Sequence, residues 1–461
     1  MKTSRTLRAA FLLLAGLVVP EAARAHVGPD LSWVAPDSLW NSPRALELVR
    51  QAREVRQSVT TDSTLRSYQA DARGFVYFML DRTDSGERTL VKADQVALEI
   101  FWRSPGDTRQ RIVGLRDEEV LPTNIHYHLD HLTVVQDEFG DLIRIGDGDE
   151  VEAVLHPVAP GADRSYDYRL ADSLTLSFAG AREPVRVYEI EVRPRNSRLP
   201  GFVGTISLDQ ATGALVRMNF SFTPASYVDP YLDYIRISLE NALWLERHWL
   251  PFRQEAELRR EVPVLDMLAG TVIRGRFRVS GYRFNDSLPD ALFAQRSVLS
   301  APASQRETFD FEEPLFSDLE RAGLEPSVEL SDVRTRVEEL VRDQALSGLA
   351  PVRLFWRSVS EGLRFNRAEG LYLGMGTSVL LPNRLRARAH GGWSLGRRAA
   401  SAELELSADV RDPNTRLSAH YSTPRDLGTH AGASGIVNTL ASLGRRDYLD
   451  LFFETGVHAS H

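Results

Sequence analysis

The stretch RLRARAHGGWSLG, residues 384–396, decides the fold of the last part of the chain because its polar and apolar side chains alternate. Successive side chains of a β-strand point to opposite faces, so this alternation predicts a strand with two unlike faces. The apolar face would carry Leu385, Ala387, Ala389 and Trp393, and the polar face Arg384, Arg386, Arg388 and His390.

The neighbouring segments repeat this pattern. LYLGMGTSVLL, residues 371–381, comes before a Pro382-Asn383 turn, and SAELELSADV, residues 401–410, follows a GRRA turn. The second segment places Glu403, Glu405 and Asp409 on one face, so antiparallel pairing would set a row of acids beside the row of arginines.

Two structures would accommodate a sheet with one charged and one apolar face. On a soluble sheet the charges would face water, and the apolar band would need a cover that no following helix provides. In a membrane β-barrel the apolar band faces lipid, the charges face the lumen, and closure removes the unpaired edges. We therefore favour the barrel. The inward side chains would be Arg384, Arg386 and Arg388, and the lipid-facing ones Leu385, Ala387 and Leu404.

The number of these strands also bears on the extent of the chain. Residues 352–461 hold about five or six of them, whereas single-chain bacterial barrels have at least about eight. We therefore expect this 461-residue chain to be incomplete, and the natural gene product to continue past His461 with further alternating strands.

Residues 65–284 predict a different sheet. They contain alternating segments of strand length separated by turn signals, which is typical of antiparallel strands with one covered face. Before them, Pro43–Ser58 has helical spacing, with Leu46, Val49, Ala52 and Val55 on one face. A long one-sided sheet of this kind curls around a helix, and this helix is the available filler.

The segment between the two sheets is acidic and proline-punctuated. It predicts a helical linker that includes a helix at Ser331–Leu346. The fold class is therefore mainly β: a curved antiparallel sheet wrapping a helix, a helical linker, then the N-terminal part of an antiparallel membrane barrel. The predicted boundaries are 1–25 for a signal peptide, 43–288 for the curved sheet, 289–349 for the linker and 350–461 for the start of the barrel.

The first residues and the composition indicate export. Lys2, Arg5 and Arg8 precede an apolar run too short to span a bilayer, and Ala23-Arg24-Ala25 forms a cleavage site. The chain has no cysteine, which excludes a disulfide scaffold and a thiolate nucleophile. A formal net charge of -8 without a long basic block argues against a nucleic-acid partner.

Two strings resemble an uncharacterised family of bacterial outer-membrane proteins of Bacteroidetes type. GLRFNRAEGLYLGMG, residues 362–376, is similar to the string that precedes the family's first membrane strands. GTISLDQATGALVRMNF and LWLERHWLPFRQEAELR resemble its periplasmic part, a half-barrel sheet like that of periplasmic lipoprotein carriers. Unlike many relatives, this chain has no immunoglobulin-like domain after the signal. The resemblance implies an outer-membrane location and this architecture, and it implies no catalytic residues.

The string HYHLDH, residues 126–131, spells the metal signature of the metallo-β-lactamase superfamily. Its candidate ligands are His126, His128, Asp130 and His131, and two His on one strand face could bind zinc. A two-metal site also needs a further His and a bridging Asp. The later candidates His156 and His248 fit that requirement poorly, and the βαβ alternation of that fold is missing. We favour a strand that exposes one row of these side chains, with no metal.

The remaining motifs predict no catalysis. GDGDE, residues 146–150, lacks the spacing of a calcium loop and reads as a hairpin turn. No catalytic residue and no cofactor are expected. The favoured interpretation is a non-catalytic outer-membrane protein for transport, surface assembly or lipid binding. Its partners would be outer-membrane lipid and a lipid, acyl chain or lipidated protein at the periplasmic sheet. The alternative is a soluble periplasmic metal-dependent hydrolase centred on residues 126–131.

Overall fold

The computed structural model describes residues 39–59, 64–82, 87–120, 140–145, 150–179, 181–264, 267–294, 298–324, 348–350, 352–356, 359–381, 385–408, 416–426, 435–443 and 449–460. The predicted signal peptide, the HYHLDH string, most of the GDGDE string, the predicted helix at Ser331–Leu346 and Arg384 lie outside these residues. The protein is mainly β, as the sequence predicts, with two large sheets and few helices.

Eleven strands form the first sheet. They are β1 (Ser67–Arg82), β2 (Glu87–Arg103), β3 (Asp107–Glu119), β6 (Tyr166–Leu176), β7 (Val185–Pro194), β8 (Phe202–Asp209), β9 (Leu215–Phe222), β10 (Leu232–Trp244), β11 (His248–Val264), β12 (Met267–Phe284) and β13 (Val298–Ser300). Their order is β13-β3-β2-β1-β12-β11-β10-β9-β8-β7-β6, and only the β13–β3 pair is parallel. Two further strands, β4 (Leu142–Ile145) and β5 (Val151–Leu155), form a separate hairpin.

The first sheet curls around helix α1 (Pro43–Val59). Laid flat, eleven strands would span roughly 50 Å at about 4.8 Å per neighbour, whereas a 17-residue helix is about 25 Å long. One core cluster nevertheless joins Ile112 of β3, near one edge, to Tyr168 of β6, at the other edge, together with Leu48 and Val49 of α1. A single core that includes both ends of the sheet requires it to curve.

The buried face of α1 differs in part from the predicted one. Val49 and Ala52 are buried as expected, but Leu46 is 37% exposed, and Ala45 and Leu48 are buried in its place. The spacing of the buried set is i, i+3, i+4 and i+7, which is a complete helical face. The helix is therefore rotated from the orientation that the sequence predicts, because packing against the sheet selects the face.

The opposite face of the sheet is covered by the segment that the sequence interprets as a linker. Strand β13 extends the sheet beside β3, and the short helices α2 (Asp290–Phe293), α3 (Ala303–Glu307) and α4 (Ser317–Ala322) follow the end of β12. Leu315 and its neighbours pack on Phe75, Tyr77 and Met79 of β1 and on Val272 of β12. Residues 298–324 thus pack against the first sheet and cover part of this face.

A buried ionic cluster lies on the same covered face. The Glu257 side chain on β11 is fully buried and receives two hydrogen bonds from Arg274 of β12, at 3.0 and 2.6 Å. Arg88 and Arg236 approach the same carboxylate at 3.3 and 3.5 Å, and the Tyr234 hydroxyl donates to it at 2.9 Å. Burial raises the pKa of the Glu257 carboxyl, but Arg88, Arg274 and Arg236 outweigh it and lower the pKa to about 2. Glu257 is therefore ionised at every physiological pH.

His156 belongs to the core of the first sheet. It is 2% exposed, and its Nδ1 accepts a hydrogen bond from the Val158 N–H at 3.2 Å. Burial, followed by the nearby charge of Arg56, lowers the pKa of this imidazole well below its usual value. His156 is therefore a neutral side chain that packs in the core.

The second sheet has seven strands. They are β14 (Val352–Leu354), β15 (Leu363–Asn366), β16 (Gly370–Leu381), β17 (Leu385–Ser394), β18 (Ala399–Ala408), β19 (Arg416–Asp426) and β20 (Leu451–Ser460). Consecutive strands from β16 to β20 pair antiparallel, and β14 and β15 both pair with β16. The short helices α5 (Val359–Gly362) and α6 (Gly435–Leu443) lie before β15 and before β20. Among the described residues, no helix is long and apolar enough to cross a membrane.

Candidate functional site

The polar face of the seven-stranded sheet is its buried face. Arg386 and Arg388 of β17 are 7% and 8% exposed, and Glu405 of β18 is 4% exposed. On the same two strands, Leu385 and Leu406 are 42% and 36% exposed. Water-soluble proteins bury apolar side chains and expose charged ones, so this sheet has the reverse polarity. For the described residues, the predicted division into two faces is confirmed, with Arg386 and Arg388 on one and Leu385 on the other. The contact of the exposed face with lipid stays a prediction.

Exposed apolar side chains concentrate on this sheet. Of the 26 large apolar side chains that are exposed among the described residues, 18 lie between Val352 and Val457. They include Met375, Trp393, Leu406 and Leu417 from the four neighbouring strands β16 to β19. A contiguous apolar surface of this kind marks a site of contact with a membrane or a partner.

Cross-strand pairs neutralise the charges on the buried face. Arg388 lies directly opposite Glu405, and its Nη1 is 2.7 Å from the Glu405 Oε1. One row along, His390, Glu403 and His420 are aligned on three adjacent strands. Burying a charge without a partner is costly, so this ladder indicates a face built for exclusion from bulk water.

Two glycines on β16 let another segment lie against the polar face. A Cβ at Gly374 would collide with the Glu361 carbonyl oxygen, and a Cβ at Gly376 with that of Phe355. The Phe355 N–H donates to the Gly376 carbonyl at 3.0 Å, and His390 Nε2 lies 2.9 Å from the Glu361 carbonyl. The alternating glycines of LYLGMG are therefore places of close backbone approach, which a side chain would prevent.

The string RFNRAEG forms a buried polar network at the turn between β15 and β16. Arg364 donates to both oxygens of Glu369 at 2.7 and 2.8 Å, and Asn366 Nδ2 donates to Glu369 at 2.7 Å. Ser394 of β17 donates to the same carboxylate at 3.1 Å, and the Arg364 guanidinium lies 3.5 Å from the centre of the Tyr372 ring. The residues of this string therefore hold the start of the long strands together.

The metal site considered from the sequence lies elsewhere in the chain. The described residues do not include His126, His128, Asp130 and His131. That these residues form a strand with one exposed row of side chains, and that they bind no metal, therefore both stay predictions. In the part of the chain that the structure describes, no cluster of three or more His, Asp or Glu side chains could hold a metal ion.

A second apolar region lies at one end of the first sheet, on the face that curls around α1. Tyr68 stacks on Trp102 at 5.4 Å between ring centres, and Tyr282 lies 5.4 Å from Tyr68 and 4.6 Å from Trp244. Tyr282 and Trp244 are only partly buried, whereas Tyr68 and Trp102 are buried. The Trp244 Nε1 is buried and has no hydrogen-bond partner in the described structure. This aromatic end comprises Tyr68, Trp102, Trp244, Tyr282 and Phe284.

No family model matches the chain, and no curated protein matches its sequence. Solved structures give weak likenesses. An outer-membrane lipoprotein-sorting protein domain from Vibrio parahaemolyticus has 11% identity and a TM-score of 0.22 over 53% of this chain and 97% of that chain. A LolA superfamily protein from Nitrosomonas europaea has 14% identity and a TM-score of 0.18, with 54% and 97% covered. A loop-deletion mutant of OmpT, an outer-membrane protein of Vibrio cholerae, has 8% identity and a TM-score of 0.11, with 78% and 93% covered. Such TM-scores do not establish a shared fold, and the family resemblance stays a prediction.

Proposed function

We propose that this protein is exported to the outer membrane and embeds its seven-stranded sheet there, with the apolar face in lipid. The observation that carries the proposal is the reversed polarity of that sheet, with Arg386, Arg388 and Glu405 buried and Met375, Leu385 and Leu417 exposed. Lipid stabilises an apolar outer face, whereas water does not. The signal-like residues 1–25 support export, and the first sheet would then lie in the periplasm.

The role that fits this placement is non-catalytic, in transport, surface assembly or lipid or lipoprotein binding. The absence of cysteine and of a nucleophile motif in the sequence supports it. The rival is a soluble periplasmic hydrolase that uses a metal at residues 126–131.

Membrane extraction tests the location. The protein expressed with its leader in a Gram-negative host should stay in the outer-membrane pellet through washes with high salt and alkaline carbonate, and only detergent should release it. Salt and carbonate remove proteins held by charge, whereas an apolar surface in lipid resists both. Release by salt alone, with about one or two zinc ions per chain, would favour the hydrolase instead.

We further propose that the aromatic end of the first sheet binds an acyl chain, of a lipid or of a lipidated protein. Two observations support it: the rings of Trp244, Tyr282 and Phe284 are partly exposed, and Trp244 holds a buried N–H donor without a partner in the described structure. Aromatic side chains with a few polar groups are the usual lining of a small-molecule site, and an ester or amide carbonyl would accept from that donor.

Fluorescence quenching tests this site. A spin-labelled fatty acid added to the purified protein should quench the emission of Trp102 and Trp244, because a bound chain would bring the label within contact of these rings. Trp244→Phe should remove a large part of the saturable quenching, because it removes one of the two quenched rings and the N–H donor proposed to bind the carbonyl. Trp40→Phe is the matched control and should remove none, because Trp40 packs on Arg169 and Arg193. Equal loss in both variants would reject the site.

A further inference from the structure

Near Val264, the paired strands β11 and β12 reach beyond β10, the other neighbour of β11. These strands have 17 and 18 residues, whereas β8 and β9 have eight each. The pairing of β11 with β10 ends at Arg260, next to a hydrogen bond from the Glu261 N–H to the Tyr231 carbonyl. From Val262 onward β11 pairs with β12. The hairpin therefore projects past β10 on one side, whereas on the other side β1 pairs with β12 as far as Ala269.

The projecting hairpin meets the polar face of the seven-stranded sheet. Glu261 Oε2 lies 2.6 Å from Arg353 Nη2 of β14, and its Oε1 lies 3.6 Å from Arg386 Nη1 of β17. Arg259 approaches the same carboxylate at 3.7 Å while it also pairs with Asp233 at 2.7 Å. Both sheets belong to one compact unit, Ser38–His461, so this contact lies inside a single body.

The contact is largely removed from water. The side chains of Glu261, Arg353 and Arg386 are 14%, 18% and 8% exposed. Ion pairs at such depth are screened little, and the loss of one partner leaves the other charge desolvated. Among the described residues, Glu261 is a carboxylate at which the two sheets meet. Next to this contact, the Phe355 ring covers the guanidinium of Arg388.

We infer that Glu261 acts as a latch: it locks the β11–β12 hairpin onto Arg353 and Arg386 and keeps the polar face of the seven-stranded sheet closed to water. The inference rests on the proposed function only in assuming that the polar face lines the inside of the barrel. It adds that the end of the β11–β12 hairpin, which belongs to the first sheet, reaches this interior face, so that access of water to the face depends on this ion pair.

Cysteine accessibility tests the latch, because the natural chain has no cysteine. Ser378 on β16 is 3% exposed and pairs with both Arg353 and Arg388, so Ser378→Cys places a small reporter under the contact. In protein reconstituted in lipid nanodiscs, a charged thiol reagent should label this cysteine slowly. Glu261→Gln and Arg353→Gln should each raise the rate by about tenfold or more, the effect of losing one charge-assisted hydrogen bond.

The controls separate local opening from unfolding. Glu255 lies on the same strand and pairs with Arg276 away from the contact, so Glu255→Gln should leave the labelling rate unchanged. A second reporter, Ser221→Cys, lies in the first sheet at 4% exposed and should stay protected in all variants. An unchanged rate at residue 378 in both latch variants would overturn the inference, and so would an equal rise with Glu255→Gln. Retention in the membrane pellet is measured on the same samples, so failure of the proposed location is seen independently of the labelling.

Discussion

Replacing Glu257 by alanine should lower the free energy of unfolding by about 3–5 kcal/mol, the cost of removing one partner from a buried ion pair. Three guanidinium groups converge on this carboxylate, from Arg88, Arg236 and Arg274. Without it, the three positive charges repel one another at a place that is largely removed from water. Glu257→Gln should be almost as damaging, because it keeps the volume and loses the charge.

The matched control is Glu99, which pairs with Arg111 across β2 and β3 at 2.5 Å. Its side chain is 30% exposed and that of its partner is 43% exposed. Such pairs contribute roughly 0–1 kcal/mol, so Glu99→Ala should change stability little. Thermal and denaturant unfolding of the purified proteins in detergent measures both variants. A loss below about 1 kcal/mol for Glu257→Ala would contradict the account of the cluster.

The pH dependence of the Glu257 contribution follows from its lowered pKa. The folded-state pKa of about 2 lies below the unfolded value, so the contribution is fully present above the unfolded pKa and is lost as pH falls towards 2. The difference in stability between the natural protein and Glu257→Gln should therefore be constant from pH 8 to about 5.5 and should narrow below about pH 4.5. A difference that grows on acidification would contradict the assignment.

An arginine at the outward face of the seven-stranded sheet should abolish stable membrane insertion. Leu404 lies in the middle of β18, on the face opposite Glu403 and Glu405. At the midplane of a bilayer, arginine on the lipid face of a barrel costs about 2–4 kcal/mol. Leu404→Arg should therefore deplete the protein from the outer-membrane fraction, with the remainder degraded or aggregated.

The control is an arginine at the same depth on the other face. Ser418 of β19 lies directly opposite Glu405 on the polar face, where a new guanidinium would meet a carboxylate. Ser418→Arg should insert nearly as well as the natural protein, and so should Arg386→Gln, which keeps a polar side chain on the same face. If the sheet were soluble, Leu404→Arg would be a tolerated surface change. Equal membrane recovery of Leu404→Arg and Ser418→Arg would therefore contradict a lipid-facing surface.

Local pattern was enough to predict most of the strands and both faces of the second sheet. The alternation in RLRARAHGGWSLG and SAELELSADV assigns Arg386, Arg388 and Glu405 to one face, because the two-residue period of a strand is a property of the backbone. The same reasoning located helix α1 but misjudged its rotation, since Leu46 and Leu48 are both plausible on the sequence and only packing distinguishes them.

The buried charges were not predictable in the same way. In the run RQEAELRREV of β11, every second residue from Arg253 to Glu261 is charged. This pattern predicts one charged face, but it does not predict which residues of other strands pair with it. Arg88 and Arg274 lie far from Glu257 along the chain, and Arg353 and Arg386 far from Glu261. Which of them meet depends on the pairing of β1 with β12 and on the approach of the β11–β12 hairpin to the second sheet.

The sequence by itself therefore determined the mainly β class, the two kinds of sheet and the direction in which each strand's side chains point. Tertiary structure alone decided which face is removed from water. Alternation defines two faces and does not say which one is covered, because coverage depends on elements distant in sequence: the segment after β12 on the first sheet, and residues 352–362 with Glu261 on the second. Solvation of a face is a property of what packs on it, and that is set by long-range contacts rather than by the period of the strand.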